Sequence, residues 1–207
     1  MYIYRVITVL GLDISTNIIG VSIVTQPSVQ GALPVINMLE HIEFKDCEDV
    51  WDKCDKFRDV VKSWMSEGKL FDVTHVFVED AALMFTSGKS SAATLATLIR
   101  FNGLCSYATY SLLNIRPEFI SVAHARKLCG MKIQRKSKCG LSSKEQAFNY
   151  MREHDLSHVT WELKKKTKKY PDDRVVDYAY DINDAYVVAR AGLLTVDVRA
   201  EQAPSLL

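Results

Sequence analysis

Three β-branched, apolar runs crowd into the first 44 residues, and little separates them. Residues 4–12 close on Gly11-Leu12-Asp13, Ser15-Thr16-Asn17 marks a turn, and Gly20-Val21-Ser22-Ile23-Val24 alternates as a second strand. Pro27 to Pro34 reads as a loop, and residues 35–44 as a third strand. Connections this short favour an antiparallel meander, because a parallel crossover needs a dozen residues or more. After residue 45 the pattern changes. Val50, Trp51, Cys54, Phe57, Val60, Val61 and Trp64 repeat at helical spacing over 48–66. Residues 73–79 form a short buried strand. A long apolar helix, capped by Ser90 or Ser91, runs to about Leu113, and 118–122 reads as a fifth strand. A short helix near 123–129, a second near 142–154 capped by Ser142 or Ser143, and a last one over 181–194 complete the order, with 157–176 a polar loop. The order βββ-α-β-α-β-α-α-α predicts one α/β domain over 1–207. Its mixed five-stranded sheet has three antiparallel strands, then parallel ones, flanked by helices.

The 207 residues suit one core and are too few for a two-lobed kinase. No apolar run approaches the ~20 residues of a membrane span. The N-terminus reads as a strand rather than a signal peptide. Five Cys with no CxxC pair predict reduced thiols and an intracellular protein. The net charge of +1 hides an uneven distribution. Residues 119–144 carry Arg126, Lys127, Lys132, Arg135, Lys136, Lys138 and Lys144 with no acid, and 164–169 read Lys-Lys-Lys-Thr-Lys-Lys. A polyanion-binding face and solvated loops both account for such runs.

Carboxylates narrow the reading. Asp13 and Glu79 each end an otherwise apolar strand, where open α/β sheets place ligands. The last helix opens Asp181-Ile182-Asn183-Asp184, with the two acids one turn apart on one face. An N-cap explains Asp181 alone, but explains the pair less well. If that helix packs on strands one and four, four acids converge and repel unless cations bind. Hard oxygen donors select Mg²⁺ or Mn²⁺. Two such metals would activate water and stabilise the leaving oxygen of a phosphodiester.

Gly11-Leu12-Asp13-Ile14-Ser15 followed by Gly20-Val21, then Val76-Phe77-Val78-Glu79, then Asp181-Ile182-Asn183-Asp184-Ala185 resemble the successive motifs of the RuvC-type Holliday junction resolvases of the RNase H-like superfamily. Phe85 to Gly103 and Gly140-Leu141-Ser142-Ser143-Lys144 are also similar to that family, in its long helix after the Glu and in its Lys-bearing helix start. The resemblance implies an RNase H-like fold, with Asp13, Glu79, Asp181 and Asp184 as catalytic acids holding two Mg²⁺ or Mn²⁺ per active site. It implies that Lys144 contacts DNA near the scissile phosphate, and that Phe85, an aromatic past the Glu, stacks at the junction crossover. Lys89, Arg126, Lys132, Arg135, Lys136 and Lys138 complete the expected DNA-binding set. It further implies a homodimer that nicks two strands of a four-way DNA junction symmetrically, with no nucleotide cofactor and no membrane partner. The site of action would be the cytoplasm, as a nucleoid-associated protein or a viral protein in its host. The basic insertion 131–139, the stretch 155–176 and Asp80 beside Glu79 depart from the family and suggest a phage, viral or otherwise divergent member.

Other readings are weaker. Gly88-Lys89-Ser90 lacks the first Gly of a phosphate-binding loop, since position 83 is Leu. Cys129 and Cys139 are too far apart for the usual zinc spacing. Leu10-Gly11-Leu12-Asp13-Ile14-Ser15-Thr16 also looks like the first phosphate loop of actin-like sugar kinases, which need a second lobe. A general RNase H-like nuclease on branched DNA or RNA–DNA hybrids, or a non-cleaving junction binder, stand as alternatives. Clustered acids oppose the second, because negative charge gains nothing in binding a polyanion. The surplus apolar positions of the helix 90–113 (Leu95, Leu98, Ile99, Leu104, Tyr107, Tyr110) suit a two-fold mate, or cover from the helix at 48–66.

Overall fold

The computed structural model describes residues 6–27, 29, 32–81, 92–166 and 174–202, with side chains described as far as residue 196. β1 (Thr8–Ile14) pairs antiparallel with β2 (Ile18–Thr25), and β2 pairs antiparallel with β3 (Val35–Glu43). β4 (His75–Glu79) lies parallel to β1 on its other side, and β5 (Glu118–Ile120) parallel to β4. The sheet order is β3-β2-β1-β4-β5, the expected mixed five-stranded sheet. The helices are α1 (Val50–Ser66), α2 (Ala92–Leu113), α3 (Val122–Leu128), α4 (Lys136–Cys139), α5 (Ser143–Glu153) and α6 (Tyr178–Gln202).

Strand alternation sorts the core into two layers. From β1, Leu10, Leu12 and Ile14 meet Phe57, Val61 and Trp64 of α1 and Phe101 and Cys105 of α2. On the opposite face Val9 and Phe77 meet Tyr186, Val187, Val188 and Ala189 of α6. Asp49 caps α1 by accepting from the Trp51 and Asp52 N–H groups. The buried Cys54, Phe57, Val61 and Trp64 then follow at intervals of three and four. Each fully buried large apolar side chain contributes about 1.5–3 kcal/mol.

α6 lies unusually close to the sheet, and two strand glycines permit it. A Cβ on Gly11 would stand 2.4 Å from the Ala185 carbonyl oxygen, and one on Gly20 2.0 Å from that of Asp181. Only a residue without a side chain fits either position.

The elements differ from expectation in several places. β1 runs one residue past Asp13 instead of ending there. β5 ends at Ile120, because Ser121 leaves the ladder to cap α3, its hydroxyl accepting from the His124 N–H. The basic segment holds the four-residue α4. α6 starts at Tyr178 and not at 181, so Asp181 lies in its first turn and is not its N-cap. The earlier start is held by Ala179 and Tyr180, which pack with Phe148 of α5. No described helix is long and apolar enough to cross a membrane.

Candidate active site

The period of two that buries Leu10, Leu12, Val76 and Val78 toward α1 and α2 turns Asp13 and Glu79 to the other face, under α6. The parallel register pairs Leu12 with Val78. One residue further, Asp13 and Glu79 stand side by side at the ends of adjacent strands, whose spacing is about 4.8 Å. Asp13 is 9% exposed. The chain beyond Glu79 is pinned from two sides. The Asp80 N–H donates to the Ile120 carbonyl at 2.9 Å, and buried Asn102 of α2 donates its amide to the Glu79 carbonyl at 3.0 Å.

α6 supplies the other two acids. Gly20 stands opposite Asp13 in the β1–β2 ladder and carries no side chain, so the first turn of α6 rests directly on it. Asp184 is 4% exposed. Two cations answer this charge. The Arg126 guanidinium of α3 donates to Asp184 Oδ1 at 3.1 Å, and both side chains are almost fully buried. Lys144 Nζ of α5 lies 2.5 Å from Asp181 Oδ1, 3.4 Å from Asp184 Oδ2 and 3.9 Å from Asp13 Oδ2. Ser142 and Glu145 form a reciprocal capping box that fixes the start of α5, which places Lys144 in its first turn. A cation is disfavoured there by the helix dipole, so the carboxylates, not the helix, hold it.

Two cations do not balance four acids. Burial first, then the Asp184 charge, pushes the Asp13 carboxyl up to about 7. Burial first, then the charges of Asp13 and Asp184, pushes Glu79 up to about 9. Burial also raises Asp184, although Lys144 and Arg126 pull it back. Lys144 is partly buried, which alone would lower it, yet Asp13, Asp184 and Asp181 outweigh that and raise it. A site of this kind disfavours its own negative charge, so without a further cation its carboxyls keep protons. Its donor set, carboxylate oxygens only, fits a hard divalent cation. Among the described residues, no three His, Cys, Asp or Glu side chains stand close enough together to hold a metal as placed. The Lys144 ammonium lies among them instead.

The architecture now has a match among solved structures. RuvC of Thermus thermophilus superposes with a TM-score of 0.60 at 13% identity, over 93% of this chain and 97% of that one. The fold is RuvC-like. A T. thermophilus RuvC in complex with Holliday junction substrate matches at a TM-score of 0.59 and 14% identity, over 93% of this chain and 96% of that one. The yeast mitochondrial Holliday junction resolvase Ydc2 matches at 0.52 and 12%, over 94% of this chain and 80% of its own. No family model matches the sequence, and no curated protein is similar to it.

In this RuvC-like frame the expected site residues divide. Asp13, Asp181, Asp184 and Lys144 are in mutual contact through the lysine, with Glu79 beside Asp13. Lys132, Arg135, Lys136 and Lys138 are exposed along the segment leading into α5. Arg126 departs from the expected phosphate-facing role. It is 8% exposed and turned inward onto Asp184, because α3 buries its Ala125–Arg126 side against α6. Phe85 and Lys89 lie outside the described residues. Asp177 pairs with Lys164 at 2.5 Å, and Asp80 is exposed. Asn102 was not singled out in the sequence, and Gly20 was noted only within its motif, without its role under α6. The only trace of Asn102 in the sequence is an amide within an apolar helix.

Proposed function

We propose that this chain is an RNase H-like nuclease domain that cleaves DNA at four-way junctions by paired symmetric nicks, using divalent metal. The observation that carries this reading is the convergence of four acids from β1, β4 and α6, more than Lys144 and Arg126 can neutralise, so that Asp13 and Glu79 are raised and would ionise fully only beside a further cation. A binding protein for a polyanion has no use for such a cluster. The RuvC-like fold supports the substrate class, since one similar structure is a complex with Holliday junction substrate.

Asp13, Glu79, Asp181 and Asp184 would hold two Mg²⁺ or Mn²⁺ ions. When bound, these supply a nucleophilic water at neutral pH and a charge sink for the leaving oxygen. The protein's own residues do the rest. Arg126 fixes the rotamer of Asp184 through a buried charge-assisted hydrogen bond. Asn102 fixes the backbone that carries Glu79. Lys144, 41% exposed at its side chain, neutralises the acids without DNA and is placed to meet a phosphate oxygen when one arrives. A second protomer would provide the second nick. α2 offers the face for it, because Ile99, Tyr107 and Tyr110 are exposed by 41%, 69% and 39% although α1 already packs on the helix.

Asp13→Asn and Glu79→Gln test the reading. Each should lower the cleavage rate about 100-fold or more, since metal stabilisation amounts to several kcal/mol and ~1.4 kcal/mol is tenfold. Junction binding should persist or tighten as negative charge leaves the site. Cleavage should stop in EDTA and return with Mg²⁺ or Mn²⁺. Unchanged rates in either variant would remove the two-metal reading.

A further inference from the structure

Two cations serve the acid cluster, and they are held differently. Arg126 of α3 is almost fully buried, as is the Asp184 side chain it donates to at 3.1 Å. Parting the two would leave a buried charge without a partner, so Arg126 is a fixed member of the site. Lys144 is 41% exposed at its side chain, with its ammonium 2.5 Å from Asp181 Oδ1, 3.4 Å from Asp184 Oδ2 and 3.9 Å from Asp13 Oδ2. It stands in the first turn of α5, whose dipole repels a cation, and the capping box of Ser142 and Glu145 fixes that helix start without it. The acids alone therefore hold the ammonium. Its flexible four-carbon stem lets it leave while α5 stays in place.

Lys144 also does what a divalent ion does, since it bridges three carboxylates from two elements, β1 and α6. Among the described residues the acids do not come together as a group of three metal ligands; they are spread about the ammonium. Charge leads the same way. Four ionised acids against the single charges of Arg126 and Lys144 would leave two charges unmatched, which one divalent ion meets. A second divalent ion makes the site positive for as long as Lys144 stays. A phosphate oxygen at the opening relieves that excess twice, by its own charge and by drawing the ammonium out of the cluster.

We propose that Lys144 is a built-in stand-in for one divalent ion: it holds Asp13, Asp181 and Asp184 together before DNA arrives, and gives them up to the second metal when a DNA phosphate takes its ammonium. This rests on the proposed function for the metals and the substrate, and adds the order in which the site fills. A charge that has to be displaced makes divalent ions and DNA cooperative, each favouring the other by the same factor. Full loading is thereby tied to the presence of substrate.

The test reads Lys144 itself. The full wild-type chain is treated briefly with an amine-acylating reagent in EDTA, in saturating Mg²⁺, and in Mg²⁺ with a four-way junction, and the modification of each lysine is measured by mass spectrometry. Lys144 should react slowly in EDTA, severalfold faster in Mg²⁺ as its carboxylates are taken, and slowly again when the junction covers it. Lys132, Lys136 and Lys138 should not respond to Mg²⁺ alone. In a second arm, free Mn²⁺ is followed by its paramagnetic resonance, without DNA. Lys144→Met should bind Mn²⁺ at least about tenfold more tightly than wild type, because a unit positive charge is lost within about 4 Å of the ligands. Lys62→Met, on α1 across the sheet, should bind Mn²⁺ as wild type does. The labelling arm uses wild-type protein, so it decides the matter even where Lys144→Met fails to fold. Lys144 modification that Mg²⁺ leaves unchanged, in a protein whose cleavage Mg²⁺ restores, would overturn the stand-in and leave the nuclease reading in place. A folded Lys144→Met variant with wild-type Mn²⁺ affinity would do the same. Wild-type protein that neither binds Mn²⁺ nor cleaves the junction would overturn both.

Discussion

Asp13 and Glu79 face opposing demands: burial disfavours their charge, and any role in holding metal requires it. Their carboxyls, at about 7 and about 9, are raised well above the ordinary carboxylate value near ~4. The folded protein therefore keeps protons that the unfolded chain has released. Stability from these groups is full in acid and is lost as pH rises through the folded values. In EDTA, the melting temperature should fall between pH 6 and pH 9. Asp13→Asn/Glu79→Gln should flatten that fall, and Mg²⁺ should offset it most at the alkaline end, where the acids are free to bind it. A melting temperature that rises across this range, or a variant with the wild-type slope, would show that these carboxyls do not carry raised pKa values. Arg126 illustrates what charge counting misses at this scale. It belongs to a run of seven bases in sequence, but α3 turns it inward to Asp184, while Lys132, Arg135, Lys136 and Lys138 stay outside.

At the scale of elements, the site depends on how closely α6 lies on the sheet. Gly20→Ala tests this, since its Cβ would meet the Asp181 carbonyl at 2.0 Å and force the first turn of α6 outward. Overpacking of this kind costs about 1–3 kcal/mol, so thermal or urea unfolding should show that loss together with much reduced cleavage. Cleavage at the wild-type level in a destabilised variant would mean that the Asp181 turn can move without harm. The strands and the acids were legible because each rests on a local pattern. β-branched alternation marks β1 and β2, helical spacing marks α1, and the pair Ser142-Ser143 marks the start of α5. The start of α6 was not legible, because Tyr178 to Tyr180 are held by Phe148 and His41, residues far away in sequence. The pairing of 162–164 with 174–176 was hidden for the same reason, because among the described residues it holds one bridge and is anchored by an aromatic contact from Trp161 to α5. α4 is one turn in a basic segment with no apolar stripe to announce it.

At the scale of the molecule, paired nicking needs two acid clusters held at a fixed separation, and a closed two-fold dimer provides that with one interface used twice. Ile99, Gly103, Tyr107 and Tyr110 share one exposed face of α2, and nothing lies within 4 Å of a Cβ on Gly103. Gly103→Arg should therefore leave the protomer folded yet convert a sedimenting dimer to a monomer at micromolar concentration. A wild-type protein that sediments as a monomer even on junction DNA would refute the dimer. Junction resolution by the acid cluster is measured by cleavage of a mobile four-way junction in Mg²⁺, beside a linear duplex and an RNA–DNA hybrid of the same sequence. Two symmetric nicks in opposing strands of the junction are expected within one binding event, with little cutting of the other two substrates. Equal cutting of the duplex or the hybrid, or no cutting with any divalent cation, would contradict it.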